Sequence, residues 1–371
     1  MISTVAFVLL SYRLDFPAGI ERSIAALAEG VRCLGHCPLI VAGGPAAPDD
    51  AREPSLVRLN SVSLPWPATA RDVEAALADP RPVVDEVRSV LAAHNAAAAC
   101  WAEPLWGLGW LSPAPVGTRT ALMVHKIRPA GEDRWRAALG AADVVCPASD
   151  WLAAEAARAG YGGDRWVTVP NALLTDPAPV PAADREQLRA AGPVRIAARA
   201  DPEKGIPEFL AAIPDGWTRP VQVVLADAGF ELRAGVQQDI AARCKEQASR
   251  RGDVITLLPA LGWREVPPFL ARAAATVICS TEPETFCFTA AEALAGGTPV
   301  VHHDFGNVPL LTGPAGRAVP AGGGAEALWD ALDRLLADPV TYRQAARAAP
   351  ARVAALTPQE SAATLLRALH V

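Results

Sequence analysis

Two carboxylates, Glu284 and Glu292, stand eight positions apart in the run ICSTEPETFCFTAAEALAGGTPVV that starts at Ile278. Carboxylates held at such a spacing suit hydrogen bonds from sugar hydroxyls. The start of a helix between them would add free backbone N–H groups and a partial positive charge, which suit a phosphate. Together they describe a site for a nucleotide sugar. A second pair, Arg199 and Lys204, lies five positions apart in ARADPEKGIPEFL, Ala198 to Leu210. Sugar transfer leaves negative charge growing on the β-phosphate, and two fixed cations beside it would lower the barrier.

The elements that must position these groups follow from the pattern. A short apolar strand, Thr276 to Cys279, precedes the acidic loop. An alanine-rich helix begins near Phe288 and stops at Gly296-Gly297, and a strand resumes at Pro299 to Val301. Further strands are predicted at 5–10, 39–41, 98–101, 121–125, 144–147 and 167–169 in the first half, and at 194–198, 221–225, 254–257, 276–279 and 299–302 in the second. Ile20, Ile24, Leu27, Val31 and Leu34 recur at helical spacing between the first two strands, a βαβ opening. Thr175 to Gly192, with several prolines and charges and no strong period, reads as a linker. Thr357-Pro358-Gln359-Glu360 has the form of a capping box before a last amphipathic helix.

The E-x7-E spacing, Phe286 two residues after the first Glu, and the EALAGGTPVV run resemble the donor-site signature of retaining GT-B glycosyltransferases of the family 4 type. The Arg199 to Gly205 run is similar to that family's R-x4-K-G motif. Family members usually carry E-P-F-G, and this chain has Glu284-Thr285-Phe286-Cys287, so Pro and Gly are replaced. Glu282-Pro283 offers a rival E-P register, but it would misplace Phe286. Ala141 to Ser149 and Val169 to Ala172 are similar to the family's A-D-x-V-x-x-x-S and P-N-G stretches, with Ala172 in place of Gly.

The resemblance implies an α/β chain of GT-B architecture, two Rossmann-like doubly wound domains facing across a cleft. Residues 1–185 would form the acceptor-side domain, 190–355 the nucleotide-sugar domain, and 356–371 a helix returning to the first. It implies hexosyl transfer with retention, in which Arg199 and Lys204 hold the diphosphate, Glu292 the ribose and Glu284 the donor sugar. Thr285, Phe286, Cys287, Phe288 and Thr289 would complete the donor loop, and Gly229 and Gly262 fit family loop positions. Trp263 could stack on a base or simply fill the core. His125, ending a predicted strand, matches an acceptor-side histidine of the family, or is structural. Gly19, Arg13 and Asp15, in the loop after the first strand, would also lie on the acceptor side.

Composition limits the remaining classes. The 371 residues, 51% of them hydrophobic, are enough for two domains with separate cores. A formal net charge of -6 gives no general attraction to nucleic acid. MISTVAFVLLSY reads as a buried strand rather than a signal peptide, and no apolar run approaches the ~20 residues of a membrane span, so a cytoplasmic protein is expected. Seven scattered cysteines without a C-x-x-C pair indicate neither a disulfide framework nor a structural zinc site. Cys33, His36 and Cys37 lack a fourth ligand. There is no D-x-D; Glu282-x-Glu284 is the nearest imitation of a metal-holding motif, and no metal or other cofactor is expected. The expected partners are a UDP-, GDP- or dTDP-linked sugar and a small soluble acceptor such as an aglycone, aminosugar or cyclitol. Trp66, Trp101, Trp106 and Trp110 would either line its pocket or fill the core. A nucleotide-sugar epimerase and a non-catalytic partner protein are the alternatives.

Overall fold

The computed structural model describes residues 2–14, 16, 18–44, 46–102, 114–127, 133–175 and 178–371. Asp15, Trp106 and Trp110 lie outside the described residues. The chain divides into two compact units, one of residues 1–174 with 356–371, the other of 175–355.

In the first unit, β1 (Thr4–Leu9), β2 (Cys37–Ala42), β3 (Leu56–Arg58), β4 (Ala96–Trp101), β5 (Arg119–Val124) and β6 (Val144–Pro147) form one sheet in the order β3-β2-β1-β4-β5-β6. Every pair is parallel. The order reverses between β1 and β4, the point where doubly wound sheets take their ligands. Val5, Phe7 and Leu9 alternate onto one face and bury against Ile24, Leu27 and Val31 of α1 (Gly19–Cys33), whose apolar residues recur each turn. The predicted strand at 167–169 is not a full strand. Trp166 makes a single bridge to Val145, and Val167 N–H donates to the Val145 carbonyl at 2.9 Å. β3, three residues long, gave no pattern to read.

The second unit repeats the plan. Its strands are β7 (Val194–Arg199), β8 (Val221–Ala226), β9 (Ile255–Leu258), β10 (Ala275–Ile278), β11 (Val300–His303) and β12 (Gly316–Val319), in the order β9-β8-β7-β10-β11-β12. The reversal falls between β7 and β10, which pair in parallel through Ala275 with Val194 and Thr276 with Arg195. The two predicted chemical segments therefore leave neighbouring strands at the same edge. Phe209 stacks on Trp329 at 4.3 Å between ring centroids, Trp217 meets Trp329 edge-on, and the indole N–H of Trp329 donates to the Phe209 carbonyl at 2.8 Å. That cluster anchors the helical layer behind β7.

The segment read as a linker, Thr175 to Gly192, belongs to the second unit and carries a helix, α2 (Ala182–Ala191). Its prolines end before the helix, and its charged residues concealed one buried anchor. Arg185 is 4% exposed and donates to the carbonyls of Ala273 (2.8 Å), Ala271 (2.7 Å) and Gly296 (2.7 Å). Ala271 ends α3 (Val266–Ala271), and Gly296 follows α4 (Phe288–Ala295). One guanidinium thus caps two helix C-termini, where carbonyls are unsatisfied and the helix dipole is negative.

The last helix, α5 (Pro358–Leu369), is part of the first unit. Thr357 caps it by accepting from the Glu360 N–H at 3.2 Å. Leu365, Leu366 and Leu369 complete the core over α1. The approach needs glycine at position 30, since a Cβ there would stand 2.0 Å from the Pro358 carbonyl oxygen.

Replacing Arg185 by Ala should lower the free energy of unfolding by about 3 kcal/mol, because three carbonyls lose a charged donor in a buried setting. Chemical denaturation measures this; a loss below about 1 kcal/mol would show that the caps are dispensable.

Candidate functional site

The cationic segment leaves the end of β7. Arg199 closes the strand and pairs with Asp201 at 2.8 Å; Glu203 lies 3.9 Å from the same guanidinium nitrogen. Pro202–Lys204 makes one 3-10 turn that ends at Gly205, whose φ is +62°. Glycine is required there on two counts. The left-handed backbone disfavours other residues, and a Cβ would sit 2.3 Å from the Cys279 carbonyl oxygen. The turn is pinned to the acidic loop by the Thr281 N–H, which donates to the Glu203 carbonyl at 2.9 Å.

The acidic loop leaves the end of β10. Lys204 Nζ donates to Glu284 Oε1 at 2.6 Å, and the hydroxyl of buried Ser280 donates to the same oxygen at 2.5 Å. The side chains of Lys204 and Glu284 are 17% and 16% exposed, so the pair is screened little by water. Burial pulls the Lys204 ammonium down, but the Glu284 charge outweighs it and holds the group above its ordinary value. Burial likewise pushes Glu284 up, and the Lys204 charge with the bonds from Lys204 and Ser280 outweighs that, holding the carboxyl below its usual range. The backbone of the loop is fixed from the far side. The Asn307 N–H donates to the Glu284 carbonyl at 2.8 Å and its amide donates to the Phe286 carbonyl at 3.1 Å. Glu282 is exposed.

α4 starts at Phe288, as its pattern predicts, and Glu292 lies inside it, 2% exposed. Thr289 donates from its hydroxyl to the Ala197 carbonyl at 2.8 Å and so ties the first turn of α4 to the strand that carries Arg199. Phe286 and Phe288 meet edge-on at 4.9 Å. Cys287, where the resembled family has Gly, has φ +76°. The left-handed backbone demanded by the turn into α4 therefore persists here on a residue with a Cβ, at a cost of about 1 kcal/mol. Its thiol is buried beside Glu284, and both effects push its ionisation far up, so it stays a neutral thiol. The other replaced glycine, at Ala172, has no such cost, since that residue is not left-handed. Asn171 beside it accepts from the Ser23 hydroxyl at 2.6 Å, a buried structural bond.

Arg199, Lys204, Glu284 and the α4 segment are thus joined at the switch point of the second unit. Gly229 follows β8, and Gly262 follows β9, with the Gly262 N–H donating to Glu265 at 2.9 Å. Both lie along the same sheet edge. Trp263 is buried, 6% exposed, with Arg264 stacked on it at 4.4 Å, so it serves the core. Ser280, Asn307 and Asp201 were missed in the sequence. A polar residue directly after a buried strand was the available signal for Ser280.

The remaining predicted residues lie in the first unit. His125 follows β5; its Nε2 is buried without a hydrogen-bond partner among the described residues, and burial lowers its ionisation to about 4, leaving the ring neutral at pH 7. Gly19 opens α1 and is exposed. The Arg13 guanidinium lies 3.8 Å over the ring of Trp66, which Phe16 meets edge-on at 5.1 Å. Trp101 is buried at the end of β4, 4% exposed. Among the described residues there is no group of three or more His, Cys, Asp or Glu side chains that could hold a metal ion.

Residues 194–338 match the family model described as glycosyl transferases group 1. No curated protein matches the sequence. Among solved structures, a sucrose-phosphate synthase from Thermosynechococcus elongatus is similar at 21% identity and a TM-score of 0.76, over 99% of this chain and 98% of that one. Anabaena HepE, solved in complex with UDP-glucose, is similar at 16% identity and 0.73, over 99% and 100%. AviGT4, a glycosyltransferase involved in avilamycin A biosynthesis, is similar at 18% identity and 0.61, over 99% and 97%. The fold is that of the GT-B glycosyltransferases. No described helix is long and apolar enough to cross a membrane.

Two measurements check this geometry. Glu284 has a lowered folded value, so its stabilising contribution is present above the ordinary 4.5 and disappears as pH falls through the lowered value. The stability difference between wild type and Glu284→Gln should therefore shrink from pH 7 to pH 3; a constant difference contradicts the pairing. At position 287, Gly and Ala both remove the sulfur but only Gly relieves the backbone. Cys287→Gly should exceed Cys287→Ala in stability by about 1 kcal/mol in chemical denaturation, and equal stabilities would show no strain.

Proposed function

We propose that this chain is a retaining glycosyltransferase that moves a hexosyl group from a nucleotide sugar, UDP-, GDP- or dTDP-linked, to a small soluble acceptor in the cytoplasm. The observation that carries the reading is the set at the switch point of the second unit, Arg199, Lys204 and Glu284 on neighbouring loops with Glu292 in the helix that follows. Ligands of doubly wound sheets bind there. The match to the group 1 glycosyltransferase model over that unit supports the same reading, as do similar folds in proteins solved with UDP and with UDP-glucose.

In this mechanism Arg199 and Lys204 face the diphosphate, and the positive end of the α4 dipole adds to that field. Charge that develops on the β-phosphate as the glycosidic bond breaks is met by groups already in place, which lowers the barrier without reorganisation. Glu292 accepts from ribose hydroxyls. Glu284 accepts from a donor-sugar hydroxyl and so fixes the anomeric carbon relative to the phosphate. Thr285, Phe286, Cys287, Phe288 and Thr289 form the wall of the donor pocket, with Gly229 and Gly262 giving backbone access along the sheet edge. The acceptor hydroxyl attacks on the face the phosphate leaves, the departing phosphate taking its proton, which retains configuration. We assign His125, neutral at pH 7, together with Gly19, Arg13 and Asp15, to the acceptor. Cations from the protein would stand where other enzymes use a metal ion.

Thermal titration with UDP, GDP, ADP and dTDP tests the donor site. One of them should stabilise the protein, by roughly 2.7 kcal/mol at a hundred times its dissociation constant. The effect should vanish in Glu292→Ala, and no stabilisation by any of the four would remove the proposal. Turnover should survive chelation by EDTA, and loss restored by Mn²⁺ would assign a metal. An inverted product anomer by NMR would end the retaining mechanism.

A further inference from the structure

Lys204 is asked to hold a phosphate, yet its ammonium is already bound to Glu284 at 2.6 Å in a pair more than four-fifths buried. Arg199 is likewise engaged by Asp201 at 2.8 Å. Without ligand, each cation is paired with a carboxylate, and Glu203 lies 3.9 Å from the Arg199 guanidinium as a third. An incoming diphosphate meets no net positive charge there unless one pair opens, and the two pairs differ in how they are built. Asp201 is two residues from Arg199 in the same turn, so that pair moves as one piece. Glu284 comes from the other loop, eighty residues along the chain from Lys204, and Ser280 holds the same carboxylate oxygen from beneath at 2.5 Å. Oε2 is bound by neither.

We propose that the Lys204–Glu284 pair, braced by Ser280, is a latch that competes with the β-phosphate for the Lys204 ammonium and so favours release of the nucleoside diphosphate product. The inference rests on the donor-site reading above. With an intact nucleotide sugar, hydroxyls of the sugar donate to the Glu284 carboxylate and take over part of its hydrogen bonding, and Lys204 turns to the phosphate. After transfer the sugar leaves with the acceptor. Glu284 is again without a ligand donor and reclaims Lys204, which weakens the hold on the diphosphate. Ser280 is a positioning residue in this scheme. It keeps Glu284 ionised and aimed at Lys204, and the loop is rigid enough for that because Asn307 holds its backbone.

The test is calorimetric binding of UDP, GDP, ADP and dTDP, and of the matching monophosphates, to wild type, Glu284→Gln, Ser280→Ala, Lys204→Ala and Lys204→Ala/Glu284→Gln. Glu284→Gln should bind the diphosphate that wild type selects roughly threefold to tenfold more tightly, the range expected for freeing a partly buried cation. Ser280→Ala should give a smaller gain in the same direction. Monophosphate affinity should not change, since no β-phosphate reaches Lys204. In the Lys204→Ala background the Glu284 substitution should have no effect, which separates the latch from simple repulsion between Glu284 and phosphate. Unchanged or weaker diphosphate binding by Glu284→Gln and Ser280→Ala, or a gain that persists without Lys204, would overturn the latch. Failure of wild type to bind any of the four diphosphates would instead overturn the donor-site reading.

Discussion

The interaction on which the candidate site depends is the bond between Lys204 and Glu284. It joins two loops that leave neighbouring parallel strands where the strand order of the second unit's sheet reverses. Each loop taken alone is an ordinary strand-to-helix connection. What converts them into one site is a set of short constraints between them. The glycine at position 205 lets the cationic turn sit against the Cys279 carbonyl, a backbone bond joins Thr281 to Glu203, and Thr289 is tied to β7. Burial of the ion pair is tolerated because it is supplied with hydrogen bonds, which is the condition under which buried charge does not destabilise a fold.

The support reaches back into the rest of the second unit. α4 carries Glu292 at its middle and receives Arg185 at its C-terminus, so one guanidinium in a segment without any visible pattern steadies the helix that presents a carboxylate. The Phe209–Trp329–Trp217 cluster holds the helical layer against β7. Among the described residues of the second unit, Cys287 is the one non-glycine residue with left-handed backbone. A left-handed residue with a side chain at the entrance to α4 is the kind of strain that folds keep where function sets the backbone path.

Much of this was legible in the sequence, and the limits have physical causes. The α/β alternation, the start of α4 at Phe288 and the last helix were readable because buried strands and amphipathic helices impose periods of their own. β3 was unreadable because three half-buried residues carry no period, and 167–169 looked like a strand because its apolar residues line β6 through only a few backbone bonds. α2 reads as a linker because its buried contact is made by an arginine, a residue that patterns treat as exposed. Glu284, Arg199 and Lys204 were found through spacing. Ser280, Asp201 and Asn307 were not: Ser280 and Asp201 bond Glu284 and Arg199 within the same loops, Asn307 reaches Glu284 and Phe286 from beyond the next strand, and single polar side chains in loops leave no period to read.

The most direct measurement is a crystal structure with the nucleoside diphosphate that binds most tightly. The account predicts its β-phosphate within hydrogen-bond distance of the Arg199 guanidinium and Lys204 Nζ, at the start of α4, with the ribose hydroxyls on Glu292. A diphosphate seated elsewhere in the second unit, with Lys204 and Glu284 still bound to each other, would contradict it.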